Sequence, residues 1–170
     1  MFGMDNRALV VIDLQRGFLT GNEPFLDRLQ GLLDKKKFAN IVFFQFINER
    51  NSNFELMLNW TKLRENHETA VIERFQKYAK VLFQHKTLGI FSEKFRKFLK
   101  EKKLSKLYFA GIFTDVAVSK ALMDSFDLGY EPFLLEDCSF TMHGSERHNG
   151  AVESLKRIIG KDRVMASSSI

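Results

Sequence analysis

Short apolar runs separated by stretches with a helical period recur along this chain, and that rhythm predicts strands alternating with helices. Arg7 to Asp13 (Arg-Ala-Leu-Val-Val-Ile-Asp) is nearly continuous in its apolar character, as expected of a central strand covered on both faces. Ala39–Phe46 and Val81–Lys86 read as further strands, with a helix over Pro24 to Lys37 that sets Phe25, Leu29, Leu32 and Leu33 on one side. Between them lie a polar loop, Ile47 to Phe54, and an apolar, aromatic stretch from Leu56 to Trp60. Thr61 to Lys80 carries no clear period. A helix from Ser92 follows, and then the stretch around which the chain is organised. Leu107 to Ala110 is a buried strand, Gly111 permits a sharp exit, and Thr114 or Asp115 can cap the next helix. That helix repeats small or apolar residues at Val118, Ala121, Leu122, Ser125 and Phe126, and Gly129 ends it. A strand that begins over Pro132 to Leu135 and has Cys138 at its end, a helix from Ser145 to Ile159 and a short strand from Val164 to Ala166 complete the series.

Such alternation predicts a single α/β domain over residues 1–170, with a doubly wound, mainly parallel sheet of about six strands and helices on both faces. Composition agrees: 45% hydrophobic and 28% charged residues describe a globular chain, and only 2 prolines argue against a rigid linker and a second domain. No apolar run is long enough to cross a bilayer, and the start lacks the layout of a secretory signal. One cysteine, Cys138, excludes an intramolecular disulfide and fits a reducing compartment, which points to the cytoplasm. The net charge of +5 owes much to seven Lys and Arg residues between Lys94 and Lys106. Phe91, Phe95, Phe98 and Leu99 interleave them at helical spacing, so a helix with a solvated outer face explains the run better than a nucleic-acid patch.

In a parallel sheet the C-terminal strand edges point one way, so Asp13, Lys86 and the turn from Gly111 to Ala117 can converge there. Asp could be a turn cap and Lys a solvated surface residue. Only the combination is informative. The order Val-Val-Ile-Asp13-Leu-Gln-Arg-Gly-Phe, Lys86-Thr, Gly111-Ile-Phe-Thr-Asp-Val-Ala-Val, Asp124, Gly129-Tyr130 and Asp137 resembles the isochorismatase-like cysteine hydrolases. Ser145-Glu-Arg-His148 and the closing strand fit the same pattern, which thins between Asn22 and Lys80.

The resemblance implies a Rossmann-like fold assembled as a homo-oligomer, a small-molecule substrate, and an Asp–Lys–Cys triad hydrolysing amides and related bonds. It makes Asp13 the general base, Lys86 the orienting cation, and the backbone at Ile112, Phe113 and Ala117 the oxyanion hole. It also implies a non-proline cis peptide at Ile112–Phe113. Gln15, Phe18, Asn48, Trp60 and Thr114 are the expected substrate-binding residues, and no cofactor, membrane or metal is implied. His67, His85, His143 and His148 show no ligand spacing, and His85, pointing opposite to Lys86 on a strand, is expected to be packed or solvent-facing.

The departure is at position 117, where the family nucleophile would stand and alanine has no lone pair to attack with. Three readings follow: a thiol site altered at one residue, vinyl-ether cleavage by an acid and water without the Cys, or a binding relative without turnover. An intact Asp13–Lys86 pair would favour the first. Cys138, Leu-Glu-Asp-Cys-Ser, is expected to be a small packed hydrophobe rather than a substitute nucleophile.

Overall fold

A computed structural model describes residues 5–170. Strand β1, Arg7–Ile12, is flanked in parallel by β2, Asn40–Phe46, and β4, Lys106–Ile112. The sheet continues through β3, Leu82–His85, on one side and through β5, Glu131–Phe140, and β6, Val164–Met165, on the other. Its order, β3-β2-β1-β4-β5-β6, is parallel throughout. Because the winding reverses between β1 and β4, the loops leaving those strands diverge and open a crevice at the C-terminal edge.

Alternation along β1 builds two cores. Ala8, Val10 and Ile12 face one layer; Leu9 and Val11 face the other. Three helices cover the first face: α4, Glu93–Glu101, α5, Ser119–Asp127, and α6, Ser145–Ile158. They bury Phe95 and Leu99, Ala121 and Leu122, and Val152 and Leu155 respectively. Helix α1, Phe25–Asp34, covers the second face with Leu26, Leu29, Leu32 and Leu33. Fully burying side chains of this size contributes about 1.5–3 kcal/mol each, so these apolar stripes fix which face each helix takes. Ser92 caps α4 by accepting from the Phe95 N–H at 3.3 Å, and the lysines of that segment project outward, as the helical spacing predicts.

Three details differ from the sequence reading. Strand β5 runs two residues beyond Cys138, to Phe140, with Ser139 Oγ bonding back to the Leu135 carbonyl at 2.9 Å where the register shifts. Helix α5 begins with a wide turn over Thr114–Val118, in which the Val118 N–H reaches the Phe113 carbonyl at 3.0 Å, and no side chain caps it. Phe126 is exposed, leaving a narrower buried face. A short helix, α2 (Asn53–Leu58), precedes the unreadable 61–80 region, which holds one more, α3 (Asn66–Thr69), and a 3-10 turn over Glu73–Tyr78.

Candidate active site

Gly111 sets the crevice. Its φ is +119°, and a Cβ there would lie 2.1 Å from the Ile12 carbonyl oxygen, so β4 can run this close to the end of β1 only with glycine. One residue beyond Ile12, Asp13 takes a left-handed conformation (φ 57°), which Asp tolerates better than most residues and which turns the chain out of the sheet. Asp13 is 3% exposed.

Its partner is not Lys86. His85 Nε2 lies 2.8 Å from Asp13 Oδ1, with both side chains buried. Strand parity explains the exchange. On β3 Phe83 is in the core, so His85 shares its inward side while Leu82, Gln84 and Lys86 fall on the exposed side. Lys86 Nζ pairs with Glu49 at 2.5 Å on the surface. The placement of Lys86 beside Asp13 is therefore corrected, and so is the expectation that His85 is a bystander.

The protonation of the pair follows from its neighbours. His85 Nδ1 lies 2.7 Å from the Thr87 carbonyl, which can only accept, so Nδ1 carries a proton. A further proton must lie on the line between Nε2 and Oδ1, because two lone pairs would otherwise face each other. Burial pushes the Asp13 carboxyl above its ordinary range and outweighs the attraction of His85. Burial alone would lower His85, but the Asp13 charge, their hydrogen bond and the Thr87 carbonyl hold its ring above the ordinary histidine value. Asp13 Oδ2 is hydrogen-bonded to no side chain among the described residues.

Above this pair lies a cavity of about 510 Å³, with Asp13, His85 and Ala117 on its wall. Phe18, Phe46, Phe54, Trp60 and Phe113 give it an aromatic lining, and the exposed Lys62, Leu88 and Met142 border its mouth. The rings support one another: Phe18 is parallel to Trp60 at 6.2 Å and edge-on to Phe113 at 5.2 Å. His143 stacks on Phe113 and places Nδ1 2.7 Å from Asp115 Oδ2. Burial works against ionising Asp115, yet its polar neighbours Thr141 and His143 hold its carboxyl below the usual value.

Of the expected substrate-binding residues, only Phe18 and Trp60 line the cavity. Gln15 is fully buried; its amide donates to the Phe46 and Thr69 carbonyls and accepts from the Phe46 N–H, tying three segments together. Asn48 donates to the Trp60 and Lys62 carbonyls and accepts from Ser52, so it holds the aromatic loop and does not touch the cavity. Thr114 is buried behind the turn, its hydroxyl 2.9 Å from His148 Nδ1, and burial pulls His148 below its ordinary value. Ile112 is wholly in the core, while Phe113 and Ala117 reach the cavity. No cis peptide occurs among the described residues, so the Ile112–Phe113 bond is trans.

Cys138 is fully buried among the α1-side core residues, and burial, reinforced by the Asp137 charge, pushes its thiol up to about 12. It offers no thiolate near neutrality. Among the described residues no group of three His, Cys, Asp or Glu side chains is placed to hold a metal ion. Residues the sequence reading missed are His85, which the parity of Phe83 would have indicated, and Lys62, which lies in the stretch without period.

No curated protein matches this chain. Among solved structures it is similar to an isochorismatase-like hydrolase from Alkaliphilus metalliredigens (TM-score 0.84, 17% identity, 96% of each chain covered). It is also similar to the N-carbamoylsarcosine amidase of Thermoplasma acidophilum (TM-score 0.81, 14% identity, 96% of this chain and 98% of that one). A third is the nicotinamidase of Bacillus subtilis (TM-score 0.77, 20% identity, 91% of this chain and 97% of that one). At these identities the likeness establishes the fold, a parallel six-stranded sheet between helices. The isochorismatase domain family matches residues 7–162, nearly the whole chain, and the protein belongs to that family.

Proposed function

We propose that this protein is a small-molecule hydrolase that works without a protein nucleophile, with Asp13 as general acid and water as the attacking group. The observation that carries the reading is the Asp13–His85 hydrogen bond in a ring already committed to Thr87 through Nδ1. With Nε2–H donating to Oδ1, the acid form needs a second proton on the pair, and Oδ2 is the oxygen left to carry it toward the cavity. The upward displacement of both groups supports a pair that holds protons tightly.

The chemistry suited to an acid of this kind is cleavage of an unsaturated (enol) ether. Oδ2 gives its proton to the terminal vinyl carbon, leaving an oxocarbenium ion at the carbon bound to oxygen. Water adds to that carbon and returns a proton to the Asp13 carboxylate, and the resulting hemiketal separates into an alcohol and a carbonyl compound. The imidazolium of His85 stabilises the carboxylate during the step in which it is bare. Aromatic walls exclude bulk water and strengthen both effects.

An amidase altered only at residue 117 is the weaker reading, because it leaned on Lys86 standing beside Asp13. Ligand binding without turnover is favoured by Ala117 alone. The deciding experiment follows the carbonyl product from a panel of aryl and carboxylated vinyl ethers. Turnover that falls by about 10²–10⁴-fold in Asp13→Asn is expected. Absence of turnover from every ether, or turnover indifferent to Asp13, would refute the acid mechanism. The family's assembly as a homo-oligomer and a cytoplasmic location are part of the same proposal.

A further inference from the structure

Before Asp13 takes up the proton it delivers, the Asp13–His85 pair shares one proton and is formally neutral, and that leaves Lys62 as the cation bordering a cavity with largely aromatic walls. Neighbouring basic residues are already paired, Arg64 with Glu55 at 2.7 Å and Lys86 with Glu49 at 2.5 Å. Lys62 has no ion-pair partner among the described residues. We propose that Lys62 is a specificity residue, anchoring the carboxylate of a flat, unsaturated monocarboxylate whose body lies against Trp60, Phe18 and Phe113.

The backbone around Lys62 is built for presentation. Its carbonyl accepts from Asn48 Nδ2 at 2.9 Å. The next residue, Leu63, is clamped at both ends: its N–H donates to Glu68 Oε2 at 2.9 Å and its carbonyl accepts from the Asn48 N–H at 2.9 Å. Leu63 is fully buried with φ +62°, a conformation that is costly for a leucine and persists only where the surroundings impose it. Its side chain is seated against Gly17, where an added Cβ would come within 2.8 Å of Leu63 Cδ2. The turn carrying Lys62 is thereby locked to the loop that follows Asp13. A fixed root lets a long side chain hold an anion with less loss of freedom on binding.

This role rests on the same cavity being the reaction site, but binding alone reads it out. Trp60 is the only tryptophan of the chain and forms part of the wall, so its fluorescence reports occupancy. Benzoate and its neutral isostere benzamide are titrated at low and high ionic strength. Benzoate should bind about fivefold more tightly at low salt, with the preference shrinking as salt screens the pair. Lys62→Met should abolish the preference while leaving benzamide affinity in place, which also shows that the variant is folded, and Lys62→Arg should restore it. Equal affinities in the unaltered protein, a preference that survives in Lys62→Met, or no response of Trp60 to either probe would overturn the proposal. Selection of benzoate by a protein that cleaves no vinyl ether would sustain the role of Lys62 and refute the acid chemistry separately.

Discussion

Replacing His85 with leucine perturbs the site at its base. The change removes the hydrogen bonds to Asp13 at 2.8 Å and to the Thr87 carbonyl at 2.7 Å, and leaves a carboxyl group that is 3% exposed without its partner. Breaking a buried pair on one side costs about 3–5 kcal/mol when the remaining group stays charged. Asp13 can escape part of that cost by taking a proton. Its folded pKa is already raised, so the folded state holds the proton more tightly than the unfolded chain. Stability from that source is complete below an unfolded value of about 3.9 and is lost as pH climbs through the folded value. The raised His85 ring has the same sign, contributing fully below about 6.5 and losing its contribution above. Without His85 the Asp13 value rises further, so the penalty grows with pH by at most about 1.4 kcal/mol per unit. Urea unfolding should therefore show His85→Leu costing about 1–2 kcal/mol near pH 5, the worth of two hydrogen bonds, and about 3–5 kcal/mol near pH 8. In an Asp13→Asn background, which suits the left-handed backbone at this position, the cost should stay about 1–2 kcal/mol at both pH values. A cost independent of pH and equal in the two backgrounds would refute the shared-proton description.

Three further outcomes follow from the same geometry. Turnover of a vinyl ether should be highest at low pH and decline as pH rises through the raised Asp13 value, with the decline displaced toward higher pH than an ordinary carboxyl allows; a flat profile would contradict acid catalysis. Cys138 should resist iodoacetamide in the native protein because its thiol is buried and pushed up to about 12, whereas Ala117→Cys should be alkylated rapidly from the cavity, as mass spectrometry would show. Asn48→Ala, which frees the Trp60 and Lys62 carbonyls and the Ser52 hydroxyl, should cost about 2–3 kcal/mol by urea unfolding and alter Trp60 fluorescence.

The scaffold was largely legible because its signals are local. The apolar run ending at Asp13, the Gly111 exit and the spacing of Leu29, Leu32 and Leu33 each specify an element without knowledge of the rest. The site was legible only where backbone position decides function. Asp13, Phe113 and Ala117 follow from strand ends, and all three reach the cavity. Side-chain direction did not follow. In Val-Leu-Phe-Gln-His-Lys every other residue could face inward on either parity, and only packing of Phe83 into the core selects His85 over Lys86. Gln15 and Asn48 sit where ligand amides would be expected, yet Gln15 spends its hydrogen bonds on backbone groups of distant segments, and Asn48 spends its own on the Trp60 and Lys62 carbonyls and the Ser52 hydroxyl. That long-range bonding also gives the aperiodic 61–80 stretch its shape, through Asn48, Glu68 and the seat of Leu63 on Gly17.

Acid catalysis by Asp13 depends on where the protons of His85 reside. Long-range ¹H–¹⁵N correlation of the imidazole nitrogens in the folded protein measures this directly. At neutral pH both nitrogens should show imidazolium shifts, Nδ1 held by Thr87 and Nε2 by Asp13, and Asp13→Asn should return the ring to a neutral form protonated at Nδ1. A neutral ring in the unaltered protein that titrates at the ordinary histidine value, unaffected by Asp13→Asn, would contradict it.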